Sequence, residues 1–216
     1  MKKKYIGMAW PSDGINDSEY WYYLPKNIEL LISRYSVSGS LKVEVLKKES
    51  NLKNIMKSLK ILTIEKLDTF ILCDFGSSVL NGKNYIDKSE MYVGSKFNIP
   101  CLNIVNSTLN FLKKRKKKIS IISPYNNTVT KSFLKLIPDK KIISSITSLS
   151  LNSEIEINSI NNFINIKKNI NMNNDLLFIG GGVSVSGLAN YYKKNFNIKI
   201  FSSPMLIIKD AVTVIK

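Results

Sequence analysis

Two stretches, Asp175-Leu-Leu-Phe-Ile-Gly-Gly-Gly-Val-Ser184 and Asp68-Thr-Phe-Ile-Leu-Cys-Asp-Phe-Gly-Ser77, share one design. An acidic residue opens each, a short apolar run follows, and small or polar residues end it. Laid over one another they pair Asp68 with Asp175, Leu72 with Ile179, Cys73 with Gly180 and Asp74 with Gly181. A continuous apolar run bounded by turn signals is the pattern of a parallel strand buried on both faces. In open α/β sheets the ligand lies beyond the carboxyl ends of such strands. Two such ends in one chain predict a site shared between two similar halves.

Working outward, Ile119-Ser-Ile-Ile-Ser-Pro124 answers Ile6-Gly-Met-Ala-Trp-Pro11, and Phe196-Asn-Ile-Lys-Ile-Phe201 answers Phe97-Asn-Ile-Pro-Cys-Leu102. Strands alternating with helical patterns indicate an α/β fold with parallel sheets, and the repeat at half-length indicates duplicated units. The expected division is 1–107 plus 205–216 for the first half and 108–204 for the second. Between the landmarks, a helix is expected from Asn16 or Asp17 to about Arg34, kinked or divided at Pro25. Leu41 to Leu46 alternates like a strand, and Leu52 to Ile64 has helical spacing. Gly76 to Asn84 reads as a connection, Ile86 to Lys96 as a helix, Ile99 to Val105 as a strand, and a further helix starts near Ser107. The Asn-rich region from Leu149 to Asn174 is poorly periodic, with a helix expected over Ile157 to Ile166.

The 216 residues are 44% hydrophobic and 22% charged, the balance of a globular chain. No apolar run approaches the ~20 residues that cross a bilayer. Met1-Lys-Lys-Lys-Tyr-Ile lacks the apolar region of a signal peptide, so no membrane association and a cytoplasmic location are expected. Two cysteines make no disulfide framework. The net charge of +16 would favour polyanions, but the lysines are scattered. The one dense run, Lys113-Lys-Arg-Lys-Lys-Lys118, falls at a helix C-terminus, where cations are favoured. No nucleic-acid motif accompanies it, so no nucleic-acid partner is expected. The lack of histidine excludes a Ser-His-Asp triad, a Cys-His pair and an imidazole-based zinc site.

The Pro after the first strand, Cys73-Asp-Phe-Gly-Ser77 at the end of one Asp-led strand, Ile122-Ser-Pro-Tyr125 at the midpoint, and the small residues after the second Asp-led strand together resemble the aspartate/glutamate racemase superfamily. The nearest branch is that of maleate isomerase and arylmalonate decarboxylase. The resemblance implies two Rossmann-like halves related by a pseudo-twofold, a site in the cleft between them, no metal or organic cofactor, and a homo-oligomer. It also implies a cysteine at the end of each Asp-led strand, acting on a small carboxylate; decarboxylases of this kind keep only the second. Here the second-half position falls at Gly181, and no cysteine lies beyond Cys101. In the first half two registers compete. Counting from the strand Asp puts Asp74 at the cysteine position, whereas counting back from Gly-Ser puts Cys73 there. Neighbours on a strand point to opposite faces, so one of the two is expected to look into the site.

Racemisation with two bases needs an acid and a base on opposite sides of the substrate carbon; with Gly181 on one side, ordinary racemisation is not expected. Asp74 could serve as a general acid or base if burial raised its pKa, and Cys73 as a nucleophile if its thiolate were stabilised. The plainer readings are a helix cap for Asp74 and a small buried hydrophobe for Cys73. For binding, Ser77 and Ser78 start a helix whose amides can meet an anion. Tyr125 matches the family position that hydrogen-bonds a substrate carboxylate. Gly181 and Gly182 offer amides free of side chains, an anion nest without the spacing of a phosphate or dinucleotide loop. Ser12, Asp13 and Asn126 complete the candidate lining. The expected function is that of a cofactor-independent isomerase, decarboxylase or lyase acting on a small carboxylate or amino-acid-like substrate. The alternative is a non-catalytic homologue that binds a small carboxylate.

Overall fold

The computed structural model describes residues 3–14, 16–49, 51–62, 66–151, 174–187 and 197–216. Two parallel sheets of four strands organise them, in the orders β2-β1-β3-β4 and β6-β5-β7-β8. The first is built from β1 (Lys4–Pro11), β2 (Ile28–Tyr35), β3 (Thr69–Leu72) and β4 (Cys101–Asn103). The second is built from β5 (Ile119–Ser123), β6 (Ile143–Ser148), β7 (Asp175–Phe178) and β8 (Ile200–Ser202). β3 and β5 are buried at every position, as is β7 after Asp175. That is the environment of a central parallel strand covered on both faces.

The leading aspartates pin the strand starts, away from the strand ends where ligands bind. Asp68 accepts a hydrogen bond from the Tyr5 amide at 2.8 Å and pairs with Lys4. Asp175 accepts from the Lys199 amide at 2.9 Å and pairs with Arg115. Counting from these residues misplaces the halves by one. Ile6 pairs with Thr69, but Ile119 pairs with Asp175. The Cys73 amide donates to Ala9 and the Ile179 amide to Ile122, so the ladders put Cys73 level with Ile179 and Asp74 level with Gly180. Asp68 precedes its strand whereas Asp175 begins its own, and hydrogen bonding, not the count, sets register.

Three local expectations are corrected. The helix from Asn16 or Asp17 ends early: α1 is Asp17–Tyr22, and Ile28–Tyr35 runs as a strand parallel to β1. Pro25 blocks helical continuation, and Ile28-Glu-Leu30 then alternates buried and half-buried side chains. Leu41 to Leu46 is not a strand, because the sheet ends at β2; α2 (Val43–Glu49) begins inside it. Gly76 to Asn84 is helical, since α4 (Phe75–Phe97) starts directly after β3 and bends at Gly82, which has φ 80°. The helix α3 (Leu52–Leu62) and the strand Ile119–Ser123 lie where expected. The helix expected over Ile157 to Ile166 lies outside the described residues.

Strands run straight into helices at the carboxyl edges of both sheets. Asp74 caps α4, Asn103 caps α5 (Ile104–Lys114), Asn126 caps α6 (Asn127–Leu136), and Ser202 caps α7 (Ser203–Val214). Each side chain accepts from an amide of the first turn, replacing a partner that the helix start lacks. One apolar core is continuous through both sheets. A second lies behind the first sheet, around Tyr35, Leu59, Phe70 and Leu72. No helix among the described residues is long and apolar enough to cross a membrane.

Candidate active site

The carboxyl ends of the two sheets meet in a cleft lined by Asp13, Cys73, Asp74, Ser77, Tyr125, Gly181 and Gly182, with Trp10, Phe75, Leu41 and Leu46 as its apolar wall. Its unfilled space is about 30 Å³, room for about two waters. A larger ligand therefore enters only if the wall yields. Phe75 joins the halves by stacking on Tyr125, with rings 6.0 Å apart and nearly parallel, and by packing on Phe133.

Asp74 is 8% exposed. Its Oδ1 accepts from the Ser77 amide at 3.1 Å and its Oδ2 from the Tyr35 hydroxyl at 2.9 Å. Burial pushes the carboxyl up to about 6 against the pull of the Tyr35 hydroxyl and of the Ser77 hydroxyl and amide, with Asp13 adding to the rise. Each oxygen keeps a lone pair for other partners, so the cap and a chemical role coexist. Cys73 borders the same cleft, but burial pushes its thiol up, with Tyr20 opposing that rise. A protonated thiol is a poor nucleophile.

Gly181 is a point of contact between the halves. A Cβ placed on it would lie 2.3 Å from the carbonyl oxygen of Cys73. A side chain at Gly181 would have to displace that backbone, and Gly180, which the ladders set level with Asp74, is also a glycine, at φ 130°. The turn is held by α1 of the first half, a contact with no local signal in the residues that make it. The Tyr20 hydroxyl donates to the Gly181 carbonyl at 2.9 Å, and the Asn16 side chain donates to the Gly182 carbonyl. Glu19, fully buried, accepts from Ser184, the Ser186 amide, Ser202 and Tyr23. Carbonyls held in this way leave the Gly181 and Gly182 amides without a partner among the described residues.

The remaining candidates separate. Ser12 bonds the backbone of Val37, Asn126 caps α6, and neither lines the cleft. Ser78 faces a second, smaller cavity behind Asp74. Sequence reasoning missed Tyr35, because β2 was read as helix, and it missed Glu19, which gave no signal beyond being an acidic residue in a first turn. Among the described residues no group of three or more acidic or cysteine side chains is placed to hold a metal. Among the described residues no lysine or arginine lines the cleft.

No family model matches the chain, and no curated protein matches it. Solved structures do. Maleate cis-trans isomerase of Nocardia farcinica, carrying a covalently bound succinylcysteine intermediate, superposes with a TM-score of 0.78 at 10% identity, over 98% of this chain and 92% of its own. A maleate isomerase variant of Pseudomonas putida S16 with maleate gives 0.78 at 12% identity, over 99% and 91%. A double variant of arylmalonate decarboxylase in a liganded form gives 0.76 at 14%, over 99% and 93%. Along nearly its whole length, the chain has the two-sheet fold of maleate isomerase and arylmalonate decarboxylase.

Proposed function

We propose that the cleft binds a small carboxylate and that Asp74 transfers a proton at the carbon next to it, in a cofactor-independent reaction with a single acid–base group. The observation that carries this reading is the buried Asp74 carboxyl, pushed up to about 6, which shares a cleft with two amides that have no partner among the described residues. An acid with a pKa near neutrality is suited to proton transfer. Backbone amides can hold a carboxylate without a cation. The protein neighbours in fold include a decarboxylase and an isomerase whose intermediate is cysteine-bound. A covalent route here would need a thiolate, and burial keeps Cys73 protonated.

Decarboxylation suits one acid best. If a carbon carries two carboxylates, loss of carbon dioxide leaves the electron pair of the broken C–C bond on that carbon, delocalised into the remaining carboxylate. The Asp74 proton then bonds to that carbon, and the ionised Asp74 is reprotonated from solvent. The product should form with one handedness if Asp74 alone delivers the proton, since Gly180, level with Asp74 in the second sheet, has no side chain to do so.

The test is a thermal-shift screen of substituted malonates, maleate and amino acids, followed by turnover assays on every compound that binds. A native-state ligand at about 100 times its Kd stabilises by about 2.7 kcal/mol, which such a screen detects. Turnover should fall as pH rises above about 6, because the acid form of Asp74 is lost. Asp74→Asn should bind but not turn over. Full activity in that variant sinks the proposal, whereas binding with no turnover of any compound supports a carboxylate-binding protein instead. Native alkylation of Cys73 should be slow, and rapid inactivation by iodoacetamide with protection by ligand would move the chemistry to the thiol.

A further inference from the structure

Asp74 stands between two cavities. On one side is the cleft. On the other is a smaller chamber of about 10 Å³, where Tyr35, Ser78, Tyr85, Ser89 and Asn103 meet the apolar Ala9, Ile55 and Leu72, enough for roughly one water. The carboxyl divides its oxygens accordingly. Oδ1 is tied to the Ser77 amide on the cleft side, and Oδ2 to the Tyr35 hydroxyl on the chamber side. The two donors differ in kind. An amide can only donate, whereas a hydroxyl can donate or accept. When Asp74 is ionised, Tyr35 donates to Oδ2. When it is neutral, a proton on Oδ2 can be given to Tyr35 only if the tyrosine turns its own hydrogen elsewhere. The chamber supplies that alternative. Asn103 already donates to the hydroxyls of Ser78 and Ser89, at 3.2 and 3.5 Å, and the chamber has room for a water to accept from Tyr35.

We propose that Tyr35 is a positioning residue for Asp74: its reversible hydroxyl, backed by one water in the chamber, holds the carboxyl in a single orientation through both protonation states. The groups facing Asp74 are Asp13 across the cleft, Cys73 beside it, and Tyr35 with Tyr85 behind it. Among the described residues no lysine or arginine lines either cavity. The Ser77 hydroxyl can also reverse its role, but it acts beside the amide on the cleft side; on the chamber side the demand falls on Tyr35. Burial and the neighbouring Asp74 keep the Tyr35 hydroxyl protonated, as the role requires.

The catalytic consequence rests on the function proposed above; the positioning itself does not. The experiment is Tyr35→Phe, which removes one oxygen from a buried ring and leaves the packing of β2 intact. The Asp74 carboxyl carbon is followed by NMR against pH and assigned by its disappearance in Asp74→Asn. Loss of a hydrogen bond to the charged form should raise the midpoint by about one pH unit. The same variant should lower kcat about tenfold or more while KM stays within a few-fold, as loss of orientation does. A midpoint within about 0.2 of the wild-type value overturns the proposal. A raised midpoint in a protein that turns over no compound leaves Tyr35 in its role and refutes the proposed function instead.

Discussion

Replacing Asp74 by Asn should make the protein more stable at neutral pH. The native carboxyl sits at about 6 against an ordinary 3.8, chiefly because burial disfavours its charge. At ~1.4 kcal/mol per pH unit, that difference corresponds to about 3 kcal/mol. The folded pKa lies above the unfolded one, so the contribution to stability is fully present below about 3.8. It is lost as pH rises through about 6. At pH 7.5 the wild type therefore carries a buried charge that the amide does not. Asn keeps the cap on Ser77 through its oxygen, and Tyr35 can accept from its nitrogen. Urea unfolding of both proteins at intervals from pH 4 to pH 8 measures the difference directly. The shift of the buried Glu90 carboxyl is common to both proteins and cancels. The variant should match the wild type near pH 4 and exceed it by up to about 3 kcal/mol at pH 7.5, a gain of roughly 6 to 12 °C in Tm for a chain of this size. Parallel stability curves across that range would refute the claim that Asp74 is held in an unfavourable charged state.

Two further outcomes follow from the contact between the halves. Gly181→Ala should destabilise by about 1–3 kcal/mol in urea unfolding, because its Cβ has to displace the Cys73 carbonyl now 2.3 Å away; unchanged stability would mean that the halves do not meet there. Glu19→Ala should cost about 3 kcal/mol or more, since it leaves four donors from both halves, one buried and three half-buried, without their acceptor. A loss below about 1 kcal/mol would show that water replaces the carboxylate.

Much of the fold was legible in the sequence. Continuous apolar runs bounded by turn residues identify central parallel strands, because a strand buried on both faces has no polar side to display. That rule located β1, β3, β5 and β7 and the strand ends where the cleft forms. The local signals failed where a tertiary partner decided the outcome. Leu41 to Leu46 alternates like a strand but has no neighbour to pair with. Ile28 to Tyr35 reads as the tail of a helix until β1 lies beside it, and with β2 went Tyr35, whose hydroxyl bonds Asp74. The sequence also named Cys73 and Asp74 as the pair to separate, but not their environments. Those depend on how far each is from water and on which hydroxyl reaches it, and Tyr35 is 39 positions away from Asp74. Composition determined that no second thiol exists after Cys101. Only the approach of the Cys73 carbonyl to Gly181 shows that this turn has no space for a side chain, because close packing between distant segments leaves no trace in the order of the residues that make it.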